Sequence, residues 1–307
     1  QLVEAKTGNH IWAERYDREL EDIFDLQDEI TQAIVTVLPF RLRSVLAENA
    51  RKKSSENLTA IDCFMRARWL NDKTGNQVRD EVLDLLASAI RIDPNYAPAY
   101  ALKASVHAYS VYTFSPLGED PTIAAREHIE QALKLGEGDH YVHTEAAHVY
   151  VTCGLHELAQ THVDQAISLN PNAIDGLLIR GFIVAYAGNA GEGVKLLKQA
   201  LAHNPLAPDI DYESLAETYY LLRDYEKALE LYQRWRDPPV HMYTHLAACY
   251  AQLEQMEDMR RAAATFNERR PADSDFSIYA AAHARLCKRS EDAEHWLEGY
   301  RKAGLIQ

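Results

Sequence analysis

The sequence predicts an all-α chain of stacked helical hairpins wound into a right-handed superhelix, and three observations predict it. The dipeptide Gln-Ala recurs at 131–132, 165–166 and 199–200, two steps of 34 residues, and Gln233 extends the series. The phrases AIRIDP (from Ala89), QAISLNPNA (from Gln165) and QALAHNPLA (from Gln199) each carry a helix into a polar residue and then proline. Proline has no N–H to continue the ladder and ends the helix there. Small residues also recur at fixed places within each step, where two helices crossing at close range require them.

In order along the chain, the first unit spans 58–94, with Trp69 and Leu70 on its first helix and a polar bend predicted at Asn71–Asn76. The second begins at Tyr96 and carries extra residues around Val111–Gly118, which predict a loop tucked onto its own repeat. The third shows Ala147, Tyr150, Ala159, Ala166 and Pro171; the fourth Gly181, Gly193, Ala200 and Pro205. The fifth has Tyr212, Leu215, Ala216, Tyr219 and Ala228, and the sixth Leu246, Ala247, Tyr250 and Pro271. A large residue then a small one, an aromatic near the end of the first helix and two small residues on the second resemble the tetratricopeptide repeat. Its period is about 34 residues, and residues 56–307 are expected to hold roughly six to seven such hairpins. A plain helical bundle with chance periodicity is the alternative.

Residues 1–55 are not a repeat. Gln1–Ala5, a turn at Lys6–Asn9 and His10–Asp17 read as strand, turn, strand, with Gly8 supplying the turn. Leu26, Ile30, Ile34, Val37 and Leu38 follow with helical spacing, and Leu42, Val45 and Leu46 extend the pattern beyond Pro39. A lone hairpin is not stable in water, so the segment is expected to close a sheet domain whose earlier part lies before Gln1. The phrase GNHIWAERYDRELEDIFDLQDEITQAI resembles the end of the TolB-like α/β domain that precedes tetratricopeptide repeats in many bacterial proteins, among them adenylate/guanylate cyclase-like proteins and winged-helix regulators. The closing EDAEHWLEGYRKAGL is similar to the end of the cyclase-associated group. The resemblance implies a regulatory module rather than a cyclase catalytic domain, for which no residues are left over.

A formal charge of −14 disfavours nucleic acid and anionic lipid as partners. The longest apolar stretch, Gly176–Gly188, is interrupted by Arg180 and falls short of the roughly 20 residues a bilayer crossing needs. Cys63, Cys153, Cys249 and Cys287 lack paired spacing, which suits reduced thiols and a cytoplasmic location.

Candidate chemistry is sparse. His241, His245 and Cys249 recur every four residues on one helix face, and His140, His143 and His148 form a second cluster. Neither set has a second ligand pair at recognisable spacing, and Cys249 beside Ala247-Ala248 reads as core; no metal or cofactor is predicted. Gly188–Gly193 resembles a phosphate loop but follows a helix and lacks Lys-Ser/Thr, so it reads as a turn. No catalytic arrangement stands out, and the chain is read as non-enzymatic.

Binding is instead expected on the concave surface lined by the first helix of each pair. The inward positions counted from the small residues are Tyr141, Thr144 and His148; Asp175, Leu178 and Phe182; Glu213, Glu217 and Tyr220; and His241 and Thr244. Lys and Asn, the carboxylate clamp of chaperone-binding tetratricopeptide grooves, are absent from the matching places. The acidic and aromatic lining predicts a protein or peptide partner with basic, aromatic or apolar groups. The alternative is that the chain itself occupies or solvates this lining. The leading function is thus an interaction scaffold of a bacterial signalling protein. Two others stand beside it, a fragment of a class III adenylate/guanylate cyclase and a self-associating module that pairs through its N-terminal strand edge.

Overall fold

The computed structural model describes residues 2–3, 8, 10–12, 42, 45–53, 58–74, 78–113, 120–202, 207, 209–272 and 274–307. Residues 45–52 are helical, and fourteen further α-helices among the described residues pair into seven hairpins: α1 (Ala60–Thr74) with α2 (Arg79–Ile92), α3 (Ala97–Tyr109) with α4 (Pro121–Leu135), and α5 (His140–Thr152) with α6 (His156–Leu169). Next come α7 (Ile174–Tyr186) with α8 (Ala190–Ala202), α9 (Glu213–Leu221) with α10 (Tyr225–Tyr232), α11 (Met242–Gln252) with α12 (Met256–Arg269), and α13 (Phe276–Leu286) with α14 (Ser290–Lys302). This is the tetratricopeptide-type stack that the 34-residue period predicts. At the N-terminus β1 (Leu2–Val3) pairs antiparallel with β2 (His10–Trp12), and Gly8 between them has φ +73°. The predicted helix from Leu26 to Leu38 lies outside the described residues, as do Phe114–Gly118 and Pro205. Among the described residues, no helix is long and apolar enough to cross a membrane.

Helix starts and stops follow local chemistry. Asp120, Asp139 and Asp275 each accept a backbone N–H two residues on, capping α4, α5 and α13. Four successive hairpins turn in the same way. The N–H of Leu155, Asn189, Asp224 and Gln255 reaches back five residues to the carbonyl of Tyr150, Val184, Tyr219 and Tyr250. The residue before each is left-handed: Gly154, Gly188, Arg223 and Glu254. This is the Schellman closure; the turn expected over Gly188–Gly193 is confined to Gly188 and Asn189, because Ala190–Gly193 already form the first turn of α8. The polar bend expected from Asn71 is not seen at Asn71–Thr74, which continue α1; its remaining residues lie outside the described ones. Asn71 is exposed, and a polar residue on a solvent face does not stop a helix.

Through the sixth hairpin, each second helix packs on the next first helix; successive first helices touch as far as α9, and α9 meets α11 through the side chains of Glu217 and His245. The predicted small residues sit at these crossings: Ala147, Ala159, Ala166, Ala200, Ala216, Ala228 and Ala247 are essentially inaccessible. Gly193 shows why. A Cβ there would stand 2.7 Å from that of Ala185 and 3.0 Å from the Gly181 carbonyl, so α7 and α8 meet only because both positions are glycine.

The seventh hairpin departs from linear stacking. Its second helix α14 packs on α11 and touches α9, while α13 reaches back to α5 and to the short 3-10 turn Ser110–Thr113. The backbone N–H of Lys288 donates to the Tyr186 carbonyl at 2.8 Å, and Lys288 Nζ lies 2.7 Å from Glu157. Tyr112, expected in a loop folded on its own repeat, instead donates its hydroxyl to the Ala282 carbonyl at 3.2 Å. The final hairpin therefore lies inside the curve that the first six describe.

Candidate functional site

The first helices of hairpins three to six present their inner faces to α13, and the space left between them is a cavity of about 100 Å³. Its walls are Tyr109 and Tyr112 from hairpin two, His148 and Thr152 from α5, Ile179 and Phe182 from α7, Glu213, Ser214 and Glu217 from hairpin five, His241, and Tyr279, His283 and Leu286 from α13. Tyr279, His283 and Leu286 recur at helical spacing, so one stripe of α13 closes the chamber.

Of the eleven inward positions read from the sequence, the chamber brings together His148, Phe182, Glu213, Glu217 and His241. The others serve elsewhere. Arg68 of α1 lies 4.4 Å over the Tyr141 ring and 2.7 Å from the Asp175 carboxylate, spanning the inner face nearer the N-terminus. Thr144 and Thr244 return their hydroxyls to the carbonyls of His140 and His241. Leu178 packs against the core, and Tyr220 is fully buried beneath Trp296. A continuous open groove over all eleven is thus replaced by a smaller chamber, because α13 and α14 cover Tyr220 and the neighbouring surface.

The electrostatics are those of a buried, polar interior. Glu213 Oε1 lies 2.6 Å from His241 Nε2. Glu217 accepts a 3.0 Å hydrogen bond from the Tyr186 hydroxyl. Burial, then the nearby Glu213 charge, push its carboxyl well above the usual range, against the pull of Tyr186. Burial holds His148 down at about 4 and His283 at about 3, so both rings are neutral at pH 7. His245 is also driven well down by burial, with His283 and His241 adding to it. Glu217 Oε1 stands 3.8 Å from His245 Nδ1 and 3.7 Å from His283 Nε2, and all three ligand-type atoms lie within 4.8 Å of one another.

The two histidine clusters seen in the sequence come apart. His241 pairs with Glu213, His245 faces Glu217, and Cys249 is buried core with its thiol pushed far up. His143 turns to His162 at 2.9 Å, away from the chamber that His148 lines. Tyr109, Tyr112 and the three α13 residues were not read as site residues. The aromatics of the hairpin-two insertion and the i, i+4 pair Tyr279/His283 were their only sequence signal.

No family model matches the chain. A protein named "Putative adenylate cyclase 3" in Rhizobium meliloti (strain 1021) is 37% identical over 101 residues, 33% of this chain and 17% of that protein. The match therefore spans about a sixth of the relative's length. Among solved structures, a tetratricopeptide repeat protein from Parabacteroides merdae ATCC 43184 superposes with a TM-score of 0.51 at 14% identity, covering 91% of this chain and 97% of its own. The Cut9–Hcn1 hetero-tetramer of APC/C gives a TM-score of 0.55 at 13% identity, over 84% of this chain and 47% of that one. At such identities the likeness is one of fold.

Proposed function

We propose that the chain is a protein-interaction scaffold whose chamber receives a basic or aromatic side chain of a partner protein. The observation that carries this is the lining: Glu213 and Glu217 stand among Tyr109, Tyr112, Phe182 and Tyr279 in a space large enough for a side-chain tip. Glu213 supplies charge, Glu217 a hydrogen-bonding carboxyl and the aromatic faces cation–π attraction, which act more strongly away from water. Peptides carrying a central Arg, Lys, Trp or Glu, read by fluorescence anisotropy against the intact chain, test it. Preference for Arg, Lys or Trp over Glu, weakened in Glu213→Gln and Phe182→Ala, supports the reading; equal binding of all four peptides, or variants identical to the parent, rejects it.

The 37% match favours placing this scaffold in a cyclase-like signalling protein of the bacterial cytoplasm. In that arrangement residues 1–55 end a TolB-like α/β domain, residues 56–307 form the repeat domain, and any cyclase activity belongs to a separate domain. Cyclase assay of the parent protein with and without the Phe182→Ala change tests the link; activity indifferent to the chamber in all conditions argues against a regulatory role.

A further inference from the structure

We propose that Glu217, His245 and His283 form a binding site for one divalent transition-metal ion of the zinc class, with the open coordination position facing the chamber, occupied in competition with a partner's basic side chain. The three residues come from α9, α11 and α13, so the site exists only because the last hairpin turns inward. Two imidazoles and one carboxylate are the donor set of three-ligand zinc centres that keep a fourth position for water or a guest. Tetrahedral zinc, with bonds of about 2.0–2.1 Å, spaces its ligand atoms about 3.4 Å apart. The 3.7 and 3.8 Å separations from Glu217 Oε1 need only a small contraction. Glu217 and His283 both line the cavity, which supplies the open side.

The surroundings hold each ligand from behind. His283 Nδ1 is 2.5 Å from the Tyr300 hydroxyl, and His245 Nε2 is 2.7 Å from that of Tyr279. These contacts turn His283 Nε2 and His245 Nδ1 toward Glu217; His283 Nε2 also lies 3.1 Å from the Tyr186 hydroxyl, a contact that a metal ion would replace. The second oxygen of Glu217 accepts from Tyr186. Such outer partners orient metal ligands and fix their tautomers. Glu213, on the same wall, adds a second carboxylate toward balancing the charge of a divalent ion. The His245 and His283 rings lie 20° from parallel with centroids 5.0 Å apart. Coordination therefore asks the His245 ring to turn, giving up its 3.2 Å contact with the Tyr232 hydroxyl.

Co(II) added to the metal-stripped full chain tests the site, read by visible d–d absorption and by displacement with Zn(II). One ion per chain is expected, with affinity at least tenfold lower in Glu217→Gln and His283→Gln and unchanged in Cys249→Ser. Circular dichroism checks that each variant is folded. Should the first two not fold, Tyr300→Phe, which removes only the hydroxyl behind His283, is expected to weaken Co(II) about tenfold. Absence of a d–d spectrum in the parent chain overturns the proposal. So does a sulfur-to-metal band lost in Cys249→Ser, or a Tyr300→Phe affinity equal to the parent's.

Discussion

The ring of Tyr220 lies flat against Trp296, centroids 3.8 Å apart and planes 16° from parallel, joining the fifth hairpin directly to the seventh. In a linear stack these hairpins would be separated by the sixth. Around this contact Tyr300, Tyr279 and Tyr186 are also fully buried, so the inward hairpin is core and not a detachable cover. Trp296→Ala is expected to lower unfolding free energy by about 3–5 kcal/mol, the usual cost of deleting a buried indole. Urea denaturation followed by circular dichroism measures it, and a loss well under that range would place Trp296 outside the core.

Gly299 sets how closely α14 can approach. A Cβ at this position would fall 1.9 Å from Tyr220 Oη and 3.2 Å from the Ala248 side chain. Tyr220 cannot swing away, because Trp296 covers its face. Gly299→Ala is therefore expected to destabilise by about 1–3 kcal/mol despite the better helix propensity of alanine. A neutral or stabilising result would mean that the helix pair is looser than described.

Arg223 and Glu254 occupy the left-handed turn position that glycine fills at 154 and 188. A side chain in that conformation costs roughly 1–2 kcal/mol. Glu254 is exposed, and Glu254→Gly should raise stability, with the gain reduced to about 1 kcal/mol or less by the greater freedom of glycine in the unfolded chain. The thermal midpoint measures the change; a fall would show that the Glu254 side chain contributes more than its backbone costs.

In the second hairpin, His107 and His128 place their rings 5.3 Å apart. Burial first, then Lys103 and His107, hold His128 at about 4, against an ordinary value of 6.5. His107 is lowered too, by burial and then by Lys103 and Arg79. Between about pH 6.5 and 4 the unfolded chain takes up protons that the folded chain refuses, so stability falls as pH drops through that window and is fully present above it. The His128 share is at most about 3 kcal/mol, and less for a ring partly open to water. Urea midpoints at about pH 7 and about pH 4.5 should differ less in His128→Gln than in the parent; an equal difference would move the acid sensitivity elsewhere.

The stack itself was legible because repetition writes it several times over. Gly154 and Gly188 stand 34 residues apart at equivalent turns, and Ala166 and Ala200 at equivalent crossings. Counting from such positions placed His148, Phe182, Glu213, Glu217 and His241 on the inner face, where the chamber holds them. The course of the last hairpin was not legible. The spacing of Tyr279, His283 and Leu286 shows which side of α13 is buried but not which neighbour buries it. Arg223 and Glu254 likewise hid two of the four turns, since nothing in a charged residue announces a left-handed backbone. The Glu217–His245–His283 cluster draws on three hairpins, and no local motif can encode that.

The chamber, the buried Tyr220 and the convergence of Glu217 with His283 all depend on residues 276–302 being an integral part of the repeat core. Native-state hydrogen exchange tests this most directly, by comparing amides of α13 and α14 with those of α9 and α11. The slowest amides of all four helices are expected to exchange together, at the rate of global unfolding. Amides of α13 and α14 exchanging far faster, while α9 and α11 stay protected, would contradict the account and leave an open concave groove in its place.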